Sequence, residues 1–137
     1  MKSVGSKLSK FLREYPVIPF DWKTHNCAHF AHDWYFFLAQ KECAKELPQC
    51  ADQAETRKLF VRMNASLESL VTDISGMQQI APQYATVGDI VLFQSPEHDL
   101  QVLGICNGTC CAFMDADGTI QFAAVTITAA WRIASAR

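Results

Sequence analysis

The hydrophobic pattern of this chain changes period once, at Gly88. Before that residue, apolar side chains recur at helical spacing. After it they come in short runs, rich in β-branched and aromatic residues, separated by turn signals. The first pattern lays an apolar stripe along a helix and the second makes buried strands. A chain that places its helices first and its strands last cannot build alternating parallel β-α-β units. The expected fold class is therefore α+β: N-terminal helices packed on a C-terminal antiparallel sheet of about five short strands. A length of 137 residues suits a single domain of this kind.

In the helical part, Val4, Leu8, Phe11 and Leu12 predict an amphipathic helix over 1–15. Pro16 and Pro19 end it and force an extended passage from Val17 to Phe20. Residues 1–16 thus read as an N-terminal arm that covers the core of a domain spanning 17–137; a partner-binding helix is the alternative. In PFDWKTHNCAHFAHDWYFFLAQ, Thr24 or Asn26 can cap a helix that starts near Cys27. Cys27, Phe30, Ala31, Trp34 and Leu38 share one face of it. Tyr35, Phe36 and Phe37 make the rest apolar too, so this helix must be covered on two sides or meet another chain. Two further helices are expected over 51–62 and 65–75. Their buried set is Leu59, Phe60, Met63, Leu67, Leu70, Val71 and Ile74, and Gly76 closes the second.

Strands are expected at 90–94, 101–107, 111–115, 119–123 and 129–134. Ser95-Pro96-Glu97, Asn107-Gly108 and Asp117-Gly118 mark the turns, the latter two because both residue types tolerate positive φ. Asp89 makes the turn into the first strand, and Trp131-Arg132 lie on a last strand that closes the sheet. Trp22, Trp34 and Trp131 are expected to pack.

A net charge of −2 argues against nucleic-acid binding by bulk phosphate neutralisation. The densest apolar stretch, WYFFLA at 34–39, is far short of the roughly 20 residues a spanning helix needs. MKSVGSKLSKFLREYP has no apolar central region, so no secretory signal is expected, and the site of synthesis is a reducing cytoplasm. In that setting the six cysteines, at positions 27, 43, 50, 106, 110 and 111, read as free thiols. There is no C-x-x-C and no zinc spacing, and neither a metal nor a cofactor is expected.

Cys27 is the candidate nucleophile. A thiol in the first turn of a helix faces unpaired backbone N–H groups and the positive end of the dipole, which favour the reactive thiolate. Such a nucleophile needs a base within hydrogen-bond reach. His29 and His32 are wrongly placed on the helix for this task. His25, just before the helix, could fold back, and His98 is the remote candidate, in the loop of the first hairpin.

A helix-start cysteine, further helices, then GDIVLF and a strand of the form V-L-G-I-C-N-G together resemble the NlpC-type, papain-fold cysteine peptidases and amidases. More specifically, P-F-x-W, H-N-C-A-H-F-A-H-D-W, L-G-I-C-N-G and A-A-W-R-I, in that order over about 17–134, resemble small phage and prophage relatives of that superfamily encoded among tail-assembly genes. The resemblance puts Cys27 at the nucleophile position and Asn26 where Asp is common. The base position falls on Val102, which moves no proton. His98 lies four residues upstream, about 13 Å along an extended strand. The strand CAFMD offers no third member; Asp115 at its end reads as a turn residue.

The resemblance implies a phage tail-tip or tail-assembly protein with a catalytically degenerate papain-like fold. It would act by contacts with other tail or baseplate proteins, be made in the host cytoplasm and be carried in the virion. The alternatives are an active cysteine peptidase or amidase cutting peptidoglycan stem peptides during infection, and a cytosolic binding or inhibitor module. No nucleic-acid partner and no membrane span are expected.

Overall fold

A computed structural model of the chain describes residues 3–22, 25–43, 52, 54–55, 58–59, 66–95, 101–115 and 117–134. Helix α1, Val4–Glu14, begins where the Ser3 hydroxyl accepts from the Ser6 N–H at 3.1 Å. It stops at Tyr15, whose extended backbone leads into Pro16. Leu8 and Phe11 join the main core, so the arm is part of the packed body. Helix α2 spans Cys27–Ala39. Its cap is Asn26, the second of the two capping residues the sequence offers. Gln40, in the left-handed region at φ 60°, ends it.

Helix α3, Leu67–Ser75, opens with a capping box between Ser66 and Ser69 and closes at Gly76. The side chains expected to line its inner face are partly buried, and Leu67, Val71 and Ile74 pack against the core. Most of the helix expected over 51–62, with Phe60 and Met63, lies outside the described residues.

Among the described residues, six strands form one antiparallel sheet: β1 Gln78–Ile80, β2 Ile90–Gln94, β3 Gln101–Cys106, β4 Cys111–Met114, β5 Ile120–Ala123 and β6 Ile127–Arg132. The order is β1-β6-β2-β3-β4-β5. Two features differ from expectation. A sixth strand, β1, pairs along β6. The chain's last strand also lies inside the sheet, between β1 and β2, and does not form its border. At Leu92/Phe93 the β2–β6 register shifts, and the Thr128 hydroxyl donates to the Leu92 carbonyl at 3.1 Å. That is the behaviour of a β-bulge.

Side chains alternate between the two faces of the sheet. Ile90, Leu92, Leu103, Ile105, Ala112, Met114, Ala129 and Trp131 meet α1 and α2 in the main core. Val91, Phe93, Cys106, Cys111 and Ala130 form a second, smaller core on the far face, with Val102 and Phe113 packed against it. Trp34 and Trp131 are fully buried. The Trp131 indole N–H donates to Thr72 Oγ1 at 2.9 Å, tying α3 to the sheet. Asp89 caps its turn by accepting from the Thr86 N–H at 3.0 Å. It also meets the Arg132 guanidinium at 2.9 and 3.2 Å, a two-pronged pairing that joins β2 to β6.

The extended passage after α1 crosses the β4–β5 turn. A Cβ on Gly118, at φ +86°, would collide with the Ile18 carbonyl oxygen. Gly118→Ala is therefore expected to lower stability by at least about 1–3 kcal/mol, the usual range for backbone strain. Urea denaturation of the purified variant measures it, and an unchanged midpoint would show that the passage does not press on this turn.

Candidate functional site

The site begins in the loop before α2. Asp21 and His25 exchange backbone hydrogen bonds at 2.8 and 3.0 Å, which folds the chain back on itself. The Asn26 side-chain amide donates to the Trp22 carbonyl at 2.7 Å. Asn26 Oδ1 accepts from the Ala28 and His29 N–H groups at 2.9 and 3.1 Å, and His29 Nδ1 lies 2.9 Å from the same oxygen. One residue thus pins the loop, caps the helix and orients an imidazole. It presents Cys27 as the first residue of α2.

The thiol of Cys27 is held against β3. Burial raises its pKa, and that influence outweighs the backbone N–H groups of Leu103, Ala28 and Cys27 itself, which lower it. The expectation that the helix terminus favours the thiolate is corrected accordingly. The dipole and the amides are present, but removal from water penalises the anion more.

Among the described residues, His25, His29 and His32 make their contacts elsewhere than at the sulfur. His25 is buried, stacked on Tyr15 with ring centroids 5.9 Å apart, and its Nε2 has no hydrogen-bond partner. The pKa of His29 is lowered chiefly by burial. His32, five residues along the helix from Cys27, is buried. Its Nε2 accepts from the Cys43 N–H at 3.0 Å and lies 2.9 Å from Glu42 Oε1, while its Nδ1 is 3.4 Å from Asp33 Oδ1. It fastens the chain leaving α2. His98 lies outside the described residues. Among the described residues no imidazole hydrogen-bonds Cys27.

Val102, the residue at the resemblance's base position, packs on the far-face core, on the side of the sheet away from α2. The neighbouring Leu103 is the β3 residue that faces the helix, and it offers the thiol only a backbone amide. Asp115 belongs to the β4–β5 turn, where its N–H donates to the Thr119 carbonyl and its carbonyl accepts from Gly118.

Beside the thiol's neighbours Ala28 and Leu103 lies an apolar cavity of about 60 Å³, lined also by Ala31, Tyr35, Leu67 and Val71. It is smaller than the roughly 150 Å³ of an enclosed cavity that holds benzene. No cluster of His, Cys, Asp or Glu suited to a metal ion occurs among the described residues. Nor does any helix among them have the length and apolarity to cross a membrane.

Fold and site together define a class: a small α+β domain in which a helix-start cysteine packs against the middle of an antiparallel sheet. The chain belongs to the family described as a domain of unknown function (DUF6950), whose model matches residues 1–133. No curated protein matches it.

Proposed function

We propose that this chain is a phage tail-tip or tail-assembly protein that holds other tail or baseplate proteins by surface contact. Its NlpC-like fold no longer turns over substrate. The observation that carries the second point is the surroundings of Cys27: a thiol set against the Leu103 backbone amide, its pKa raised by burial, with no imidazole among the described residues bonded to it. General-base assistance contributes about 10²–10⁴ in rate, and a thiol that also resists ionisation forgoes the nucleophile itself.

The tail assignment rests on the order of the sequence motifs. Contact by surface is supported by α2, where Phe36 and Phe37 remain 42% and 36% exposed. Phe37 continues the core aromatic cluster outward, with its ring centroid 5.6 Å from Phe11 and 5.8 Å from Trp34. Synthesis would be in the host cytoplasm and the final location the virion.

The test uses a phage carrying this gene. Deleting the gene should abolish complete tails, Cys27→Ala should leave tail number and infectivity unchanged, and Phe36→Asp should lower tail yield. In the purified protein, iodoacetamide at neutral pH should label Cys27 no faster than the buried thiols. Normal tails after deletion would sink the assembly role. Loss of wall digestion or infectivity in Cys27→Ala, with rapid labelling of that thiol, would establish the peptidase or amidase reading instead.

A further inference from the structure

We propose that Cys106 and Cys111 are a modification site: a cross-strand dithiol that small-molecule disulfides of the glutathione class close into an intrachain disulfide. The site lies on the face of the sheet opposite Cys27 and is independent of the tail assignment.

The argument is one of register. Cys106 ends β3, Cys111 begins β4, and the two stand directly opposite each other. Beyond them, the Asn107 N–H donates to the Cys110 carbonyl at 2.8 Å, so 107 and 110 form a hydrogen-bonded step. Strand alternation then makes Cys106 and Cys111 a non-hydrogen-bonded pair. In such a pair the Cα atoms are about 4.5 Å apart and the side chains are at their closest. That separation lies inside the range of about 4.4–6.8 Å that a disulfide spans.

Both side chains point into the same far-face core, packed with Val91, Phe93 and Ala130. They also touch: Cys111 hydrogen-bonds Cys106, and the Cys106 thiol lies 3.6 Å from the Gly108 carbonyl as donor. Cys110, although adjacent in sequence, precedes β4 and is not part of the far-face core, which makes it an internal control. The described cysteines are all free thiols.

Closure proceeds by exchange. The thiolate of one cysteine attacks a sulfur of glutathione disulfide, breaking its S–S bond and releasing one glutathione thiolate. The second cysteine's thiolate attacks the protein-side sulfur of the mixed disulfide and displaces the second glutathione. Each cysteine's proton ends on a glutathione thiol: two protein thiols are oxidised, one glutathione disulfide is reduced and two glutathiones leave. Burial and the neighbouring sulfurs push the Cys111 thiol up to about 12. The pair therefore closes slowly at neutral pH and faster in mild alkali. It sits immediately before the Asn107–Cys110 turn, and opening that turn gives the reagent access.

The test incubates the folded protein with glutathione disulfide, then alkylates with iodoacetamide in denaturant and maps peptides without reduction. Cys106 and Cys111 should emerge joined, two alkyl groups fewer than in the untreated protein, in the wild type and in Cys110→Ser. The joined peptide should disappear in Cys106→Ser. In Cys111→Ala, Cys106 should stop at a lasting mixed disulfide, which keeps the proposal open to test should Cys106→Ser fail to fold. Recovery of both wild-type cysteines in alkylated or glutathione-bearing form would overturn the proposal. So would a bridge from either one to Cys110 or to a second chain.

Discussion

Between about pH 9 and about pH 11 the unfolding free energy is expected to fall by roughly 2–4 kcal/mol from Cys111 and Tyr15 alone, with Cys27 acting in the same direction. Three acids share the responsibility, Cys111 buried and Tyr15 and Cys27 partly so. Burial pushes the Cys27 thiol up from an ordinary value of 9.0, only partly opposed by backbone N–H groups. Burial, then the charges of Cys106 and Cys110, push Cys111 up to about 12. Burial pushes Tyr15 up as well, aided by its hydroxyl's 2.6 Å hydrogen bond to Asp33 Oδ2 and by that carboxylate's charge. All three hold protons in the folded state at a pH where the unfolded chain has released them. Their contribution is complete below the unfolded values, near 9 for the thiols and near 10 for the phenol. It is lost as pH rises toward the folded values. Each group alone gives a slope of up to about 1.4 kcal/mol per pH unit, and the partial exposure of Tyr15 and Cys27 reduces the sum. Urea titrations under reducing conditions at successive pH values, followed by far-UV circular dichroism, measure the curve. Tyr15→Phe should flatten its upper part and Cys111→Ala its lower part. A stability constant to pH 11 would mean that these groups are solvated.

The residues that made elements legible in the sequence acted locally. Asn26 ahead of an apolar face, Ser66 and Gly76 around α3, and the Gly108 and Gly118 turns fix helix ends and hairpins through neighbouring backbone groups. What escaped notice depends on partners distant in sequence. Strand β1 is Gln-Gln-Ile, without an apolar run, and becomes a strand because β6 offers it an edge. The bulge at Thr128 shifts the last strand's start from 129 to 127.

The orientation of Val102 was hidden for a different reason. Strands β2 to β4 bury side chains on both faces, so their hydropathy runs unbroken and the period of two that would separate Val102 from Leu103 does not show. The state of Cys27 follows the same logic. Its helix terminus is visible in the sequence, but the strand that buries its thiol lies about 76 residues further on and reverses the electrostatic conclusion. The Asn107-Gly108 turn, by contrast, shows in the sequence, and the β3–β4 register places Cys106 opposite Cys111 across it. The signal was present in the sequence and lacked only the register.

Trp34→Ala is expected to cost about 3–5 kcal/mol, a large part of the 5–15 kcal/mol that holds an ordinary domain together. Trp34 is fully buried in the middle of α2. Its ring meets Phe11 at 5.3 Å, and Phe37 stacks on it at 5.8 Å. Its indole N–H donates to the Gly88 carbonyl at 2.8 Å, while the Gly88 N–H donates to the Cys106 carbonyl at 2.9 Å. One side chain therefore fastens α1, α2 and the turn into β2. Truncation removes the packing, opens a cavity and leaves a buried carbonyl without its donor, effects that add. Trp34→Phe separates them: it keeps most of the volume and loses only the hydrogen bond, so it should cost about 1–3 kcal/mol. Phe37→Ala, which removes a side chain already 36% exposed, should cost less than Trp34→Ala. Loosening α2 also frees its first residue from β3, so Trp34→Ala should speed alkylation of Cys27 under conditions that leave the fold intact. A loss below about 1 kcal/mol would show that α2 is held by its ends. In that case the burial of the Cys27 thiol would owe nothing to the centre of the helix.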